Sequence, residues 1–311
     1  MLSLASKLRK FLPTVYERYG ALNARQYAYR AEAAGLITKK YFKYTNSILT
    51  KLREQKILPW NAVLDSSREF NPYSVVLSED SEEYVNSLMK SFKNFPNRFD
   101  LPRWQYQSIV PVIFTEKEGL IQYFEMVTDQ RAVSIYAQKG QVGKSHLHEV
   151  VFPWMMKWAG KGKTIRMVYL GDCDDEGFQI PVTLLQTITK WADGSPQFDI
   201  HDLYPRSLSK VYHEGSILTF ERLALTPEQV ENLALRKDPI NPKSTIARKF
   251  VSFKCELEAI EPNILRSMIE ATIDKTWDKE SEKRRQLKVQ EMKKPITDKI
   301  EDLSRDWVIK S

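Results

Sequence analysis

Tyr169-Leu170-Gly171-Asp172-Cys173-Asp174-Asp175-Glu176-Gly177 closes an apolar run of strand length, residues 165–170, with a cluster of carboxylates. A glycine on either side lets the backbone turn tightly there. A second corner of the same kind lies upstream. Ile109-Val110-Pro111-Val112-Ile113-Phe114 is apolar, Thr115 follows, and Glu116-Lys117-Glu118-Gly119 comes next. Two apolar strands that each end in acid place Glu116, Asp172 and Asp174 at the carboxyl edge of an open α/β sheet. Hard anionic oxygens gathered in this way suit Mg²⁺, which keeps several waters and reaches toward a phosphate. The ion also offsets the repulsion by which close carboxylates raise one another's pKa. Asp175 and Glu176 can assist. A merely exposed acidic turn is the structural alternative for the same residues.

Outward from these corners, apolar runs over 109–114, 132–137, 165–170 and 217–220 alternate with helical patterns over 120–128, 146–158 and 179–191. Such alternation predicts a largely parallel sheet covered on both faces. The sheet domain spans 105–225. Before it, 1–104 reads as mostly helical. Leu4, Leu8, Phe11, Leu12 and Val15 recur at helical spacing. Asn23 caps a helix over 24–34 that Gly35 closes, and a second helix covers 40–55. Residues 57–60 and 62–64 read as short strands around a turn, which completes a winged-helix pattern. Ser78 is positioned to cap a helix over 79–95, and 96–102 reads as a linker. After the sheet, 226–311 is a helical extension that opens on Thr226-Pro227-Glu228-Gln229, a capping oxygen followed by proline at N1. Residues 275–299 hold nine basic and five acidic side chains, the composition of a solvated helix, with a DNA-facing surface as the alternative.

The chain has 311 residues, 42% hydrophobic and 28% charged, enough for two or three ordinary folded domains. No apolar run reaches membrane-spanning length, and the basic N-terminus lacks a clean signal segment. Cys173 and Cys255 are too few for a disulfide framework or a zinc set, so an intracellular protein, cytoplasmic or nucleoid-associated, is expected. A net charge of +7 is compatible with a polyanionic partner. Gly140-Gln141-Val142-Gly143-Lys144-Ser145 imitates an ATP-binding phosphate loop, but Gln138 stands where its first glycine belongs. His146 and His148 are two apart and do not share a helix face, so surface or structural roles are expected rather than a zinc site.

Tyr27 and Tyr29 lie between Arg25 and Arg30. They suit packing in a small helical domain. They also suit catalysis: a phenol with a pKa near ~10 is a weak nucleophile, and flanking guanidiniums orient a phosphate and favour developing anionic charge.

Glu116-Lys117 together with Gly171-Asp172-Cys173-Asp174-Asp175-Glu176-Gly177 resembles the toprim signature of topoisomerases and primases. The chain resembles the A subunit of type IIB topoisomerases (topoisomerase VI) and the related meiotic break-forming proteins, and resembles still more their compact single-chain relatives in prokaryotes and mobile elements. Asn23-Ala24-Arg25-Gln26-Tyr27-Ala28-Tyr29-Arg30 resembles that family's Arg-x-x-aromatic-Tyr segment, with the DNA-attacking tyrosine at Tyr29. Ala28 stands where an aromatic is usual, and Asp175-Glu176 departs from the usual residues after the second aspartate. The resemblance implies a CAP-like winged-helix domain and a toprim domain, with Mg²⁺ (or Mn²⁺) held by Glu116, Asp172 and Asp174. Tyr29 and Arg25 would act with Glu116 in cleaving double-stranded DNA, leaving protein on each 5′ end. It further implies a homodimer in which Tyr29 of one subunit faces the acids of the other, an ATPase B-type subunit as a further partner, and no membrane association. A metal-dependent nuclease that uses water, or a non-catalytic DNA-binding or assembly factor, are the alternatives. Asp174→Ala is expected to leave the fold intact.

Overall fold

The structure, a computed structural model, describes residues 3–64, 81–137, 146–192, 218–240 and 251–310. Ser78, the 140–145 loop, His201 and His213 lie outside the described residues. The architecture is mixed α/β, with N-terminal helices, a parallel sheet at the core and a helical C-terminal extension. The chain divides into two compact units. One comprises Met1–Arg68 and Ile109–Thr276, the other Glu69–Ser108 and Trp277–Ser311.

In the first unit, α1 (Leu4–Tyr19) buries Leu8, Leu12, Val15 and Tyr19, the face its apolar spacing marks out. α2 (Ala24–Ala33) opens on a reciprocal cap. The Gln26 amide donates to Asn23 Oδ1 at 2.8 Å, and the Asn23 amide donates to Gln26 Oε1 at 3.0 Å. α3 (Phe42–Glu54) buries Ile48, Leu49 and Leu52. The ribbon expected after it does not form. The amides of Ile57 and Leu58 both donate to the Leu52 carbonyl, closing α3, and Lys56 takes a left-handed φ of 59°. Those amides are therefore absent from any ladder, and Trp60–Ala62 is a 3₁₀ turn. Strand β1 (Leu22–Asn23) instead pairs in parallel with β2 (Val63–Leu64).

The main sheet consists of β3 (Ile109–Thr115), β4 (Ser134–Ala137), β5 (Thr164–Leu170) and β6 (Leu218–Ala224), all parallel, in the order β4-β3-β5-β6. β3 is central yet contains Pro111, which lacks a ladder donor. The register resolves this: β4 pairs with β3 only from Val112 onward, so at Pro111 the strand has β5 alone as neighbour. β4 starts later than its apolar run because Ala132 adopts a left-handed conformation after a 3₁₀ turn. Between β4 and β5, the expected single helix splits into a π-turn over Leu147–Val151 and an α-helix over Phe152–Ala159. Pro153 cannot donate back into the preceding turn, which favours the wider winding. His146 stacks on Tyr136 and His148 meets Trp191 edge-on, both packing roles.

The strand order reverses between β3 and β5. The crossover from β3 leads to β4 on one side, and the path leaving β5 leads to β6 on the other. Loops that part in this way open a crevice at the carboxyl ends of the two strands. β3 and β5 end in register, Thr115 opposite Leu170, so Glu116 and the 171–174 loop emerge together at that crevice. A short antiparallel pair, β7 (Asp238–Pro239) with β8 (Phe253–Lys254), follows β6.

The second unit holds helices Ser81–Lys93, Phe95–Arg98 and Lys279–Lys310. Gln107 donates to the Asp278 carbonyl at 2.9 Å and accepts from its amide at 2.8 Å. Trp104 meets Trp277 edge-on, with Arg103 over the Trp277 ring. The long helix is mostly exposed and laced by pairs such as Lys283–Glu280, as its charge mixture implies. Among the described residues no helix is long and apolar enough to cross a membrane.

Candidate functional site at the sheet edge

Glu116 reaches across the crevice and accepts the Asp172 backbone N–H through Oε1 at 2.6 Å. Asp172 Oδ1 accepts from the Leu257 amide at 2.9 Å, and Oδ2 lies 2.6 Å from Lys117 Nζ. The same ammonium is 3.4 Å from Glu258. Asp174 turns the other way: Oδ1 caps the Asp175–Trp191 helix by accepting from the Gly177 amide at 2.8 Å, and Oδ2 meets Lys254 at 3.1 Å. The structure thus brings the three sequence-derived acids to one sheet edge. Each acid has a hydrogen-bond or lysine partner there. Among the described residues no group of three or more His, Cys, Asp or Glu side chains is arranged to hold a metal ion.

The glycines flanking the acids serve a different purpose from the one their turn composition implies. Neither is among the left-handed glycines, which in the described residues are Gly20, Gly35 and Gly162. Close approach excludes a side chain instead. A Cβ at Gly177 would lie 2.3 Å from the Asp172 carbonyl oxygen, and one at Gly171 would lie 2.7 Å from the Tyr169 ring. The helix start is pressed onto the acidic loop, and Arg222 fastens the two from beneath. This side chain is 3% exposed. It donates to the carbonyls of Gly171, Asp172, Gly177 and Leu225 and lies 3.9 Å from the Phe178 ring centroid.

Burial, then the neighbouring Asp172, push the Glu116 carboxyl up to about 7. Burial also raises Asp172 and Glu258, with Lys117 opposing in both. For Lys117 itself burial works against the charge, but Glu258 and Asp172 outweigh it and hold the ammonium well above the ordinary lysine value. The carboxyl groups are crowded, and their oxygens are hard donors of the type Mg²⁺ takes, although Asp174 is turned to the helix cap and Lys254.

Tyr27 and Tyr29 have separate roles. Tyr27 is fully buried and donates to the Ala62 carbonyl at 3.2 Å, a packing role. Tyr29 packs its ring edge-on against Phe42, with Lys39 over it, and its buried hydroxyl lies beside Glu256. Burial, then Glu256, hold the phenol far above its usual range. Arg25 pairs with Glu256, as does Lys39 at 3.5 Å. Arg30, expected to orient a phosphate, is buried and donates to the carbonyls of Ala259 and Ile260, so its donors serve the fold.

The segment Glu256-Leu257-Glu258 therefore links the tyrosine helix to the acidic edge within one chain. Glu256 meets Arg25 and Tyr29, the Leu257 amide holds Asp172, and Glu258 faces Lys117. Cys255 anchors it by exchanging both backbone hydrogen bonds with Cys173. A cleft of about 560 Å³ opens between α2, α3 and the end of β3. Its lining includes Arg25, Arg53, Lys117, Asn46, Thr50 and Glu116. No protein family model matches the chain, and neither a curated protein nor a solved structure matches it significantly.

Asp174 has more structural weight than its exposed-edge position implies, because it caps a 17-residue helix. Asp174→Ala is now expected to cost about 1–2 kcal/mol, whereas Asp174→Asn, which caps comparably, stays near wild-type stability. Thermal unfolding of both variants checks this, and an alanine variant that melts with the wild type would refute it.

Proposed function

We propose that the chain cleaves double-stranded DNA through attack of Tyr29 on a backbone phosphate, on a winged-helix and toprim plan, with Mg²⁺ or Mn²⁺ held by Glu116, Asp172 and Asp174. The observation that carries this is the meeting of Glu116 with the 171–174 loop at the sheet's switch point, where a cleft lined by Arg25, Arg53 and Lys117 and by Glu116, Glu118 and Glu258 leads to the start of the tyrosine helix. When bound, the ion supplies a Lewis acid for charge developing on the phosphate oxygens. Arg25, Arg53 and Lys117 supply the phosphate contacts, which carry little sequence information. Glu256 lies beside the phenol, within reach of its proton, and Arg25, paired with Glu256, favours the negative charge that develops there. As the phenol oxygen bonds to phosphorus, its proton passes to Glu256 and the 3′ oxygen of the neighbouring sugar leaves, so the protein stays on the 5′ end. A homodimer supplies one tyrosine per strand, and an ATPase subunit is a further partner on this reading.

The buried, proton-holding phenol favours one alternative, in which water attacks at the same acids. Incubation with duplex plasmid and Mg²⁺ or Mn²⁺, followed by denaturing separation, distinguishes the two. Tyr29→Phe is expected to reduce cleavage to below about a thousandth and to abolish DNA-linked protein, the scale of losing a nucleophile. Cleavage that persists without linkage would assign the attack to water. DNA binding with no cleavage under any divalent ion would leave a binding or assembly factor.

A further inference from the structure

Cys173 sits between Asp172 and Asp174 in the acidic loop, and Cys255 precedes Glu256 just after β8. They are the chain's two cysteines, and the fold sets them directly opposite one another in an isolated antiparallel bridge. The Cys173 amide donates to the Cys255 carbonyl at 2.8 Å, and the Cys255 amide donates back at 3.1 Å. Residues that exchange both hydrogen bonds hold their Cα atoms about 5.5 Å apart, within the span of about 4.4–6.8 Å that a disulfide bridges. Side chains so opposed project to the same face. Both are buried, 0 and 1% exposed, and both thiols are free. A buried cysteine is ordinarily a small apolar filler. What sets this pair apart is that each thiol has the other as its cross-strand neighbour.

We propose that Cys173 and Cys255 are a reversible disulfide site, whose bond ties the acidic loop to the Glu256-Leu257-Glu258 segment. The oxidant is a small-molecule disulfide of the glutathione class. One cysteine attacks it as the thiolate, forming a mixed disulfide and releasing one small thiol. The other cysteine attacks that mixed disulfide, forming the Cys173–Cys255 bond and releasing the second small thiol. The protein gives up two protons and two electrons, and the oxidant takes them up as two thiols. Burial pushes both cysteine thiols up to about 12, so the closed pair exchanges slowly and the reaction runs through local opening. The strand leading into Cys255, Phe253–Lys254, is two residues long and pairs with the two residues of Asp238–Pro239, a ladder short enough to open without global unfolding. The Cβ atoms of a pair that exchanges both hydrogen bonds stand toward the upper end of about 4.5–5.5 Å, whereas a relaxed disulfide holds them about 3.8 Å apart. Closing the bond therefore stores strain, which places it among the readily reduced disulfides rather than the permanent ones. The inference does not rest on DNA cleavage, and its test contains neither DNA nor metal.

Equilibration of the full chain with reduced and oxidised glutathione in the presence of EDTA tests it. Samples started from the reduced and from the oxidised protein are quenched with acid once they agree, and intact mass reads the products. With two cysteines in the chain, a single chain lighter by two hydrogens carries the Cys173–Cys255 bond. Its equilibrium constant against glutathione is expected to be at least about ten-fold larger in native buffer than in concentrated urea, because the fold holds together two thiols that the unfolded chain must bring together by closing a long loop. Dithiothreitol is expected to restore both thiols without unfolding the chain. Native protein that keeps both thiols free, that carries glutathione adducts without the internal bond, that cross-links between chains, or whose constant is no larger than in urea would overturn the inference.

Discussion

Replacing Arg222 with methionine is expected to destabilise the first unit by about 4 kcal/mol or more, in the range seen when a buried charged network is broken. Methionine keeps much of the apolar stem and its packing on Phe178, so the loss falls on hydrogen bonding. Four carbonyls, those of Gly171, Asp172, Gly177 and Leu225, lose a charged donor together. Each buried carbonyl left without a partner costs roughly 1–3 kcal/mol, and relaxation recovers only part of it. The positive charge beneath Glu116 and Asp172 disappears as well, although it contributes to both of their surroundings. Arg222→Lys keeps the charge but cannot span the four acceptors, so it should fall between the two. Denaturant titration of the three proteins gives the order. An Arg222→Met protein that unfolds with the wild type would show the acidic loop to be held by something else.

That importance was not legible in the strand that contains Arg222. Within Leu218–Ala224 a charged residue beside Glu221 reads as surface, and only the carbonyls converging from the 171–177 loop explain its burial. Local signals, by contrast, were sufficient wherever one segment determined its own conformation. The Asn23–Gln26 and Thr226–Gln229 caps form as their spacing implies, and the apolar runs ending at Thr115 and Leu170 are the two neighbouring strands that deliver the acids. The ribbon over 57–64 failed because the amides of Ile57 and Leu58 close α3, an outcome decided by the left-handed turn at Lys56. Lys117, Lys254 and Glu258 were missed as members of the site for the same reason as Arg222: their partners lie far away in sequence. The one available signal was the Glu256-Leu257-Glu258 run, whose alternating acids face Arg25 on one side and Lys117 on the other.

The crowded carboxyl at Glu116 carries a distinct expectation for pH. Its folded value, about 7, lies above the ordinary glutamate value of 4.5 that the unfolded chain takes. Below pH 4.5 both states hold the proton and the group exacts no penalty. As pH rises toward 7 the unfolded chain ionises first, the folded chain binds the extra proton, and stability falls across that window. The full difference corresponds to on the order of 3 kcal/mol. Glu116→Gln cannot ionise, yet its amide oxygen can still accept the Asp172 N–H. The variant is therefore expected to match the wild type near pH 4.5 and to exceed its stability by up to about 3 kcal/mol at pH 8. Asp172, raised by its own burial, adds a trend of the same sign in both proteins. Urea unfolding at the two pH values measures the difference, and parallel pH curves for wild type and variant would refute the assignment. The proposed ion adds a second, separable effect. A ligand bound only by the folded state stabilises it by mass action. Mg²⁺ at pH 8 should then recover stability in the wild type and much less in Glu116→Gln, narrowing or reversing the gap between them. A gap that closes with Mg²⁺ but not with matched ionic strength would tie Glu116 to a cation by a measurement independent of DNA, while a gap unmoved by Mg²⁺ would leave the pH effect standing and remove the ion from this site.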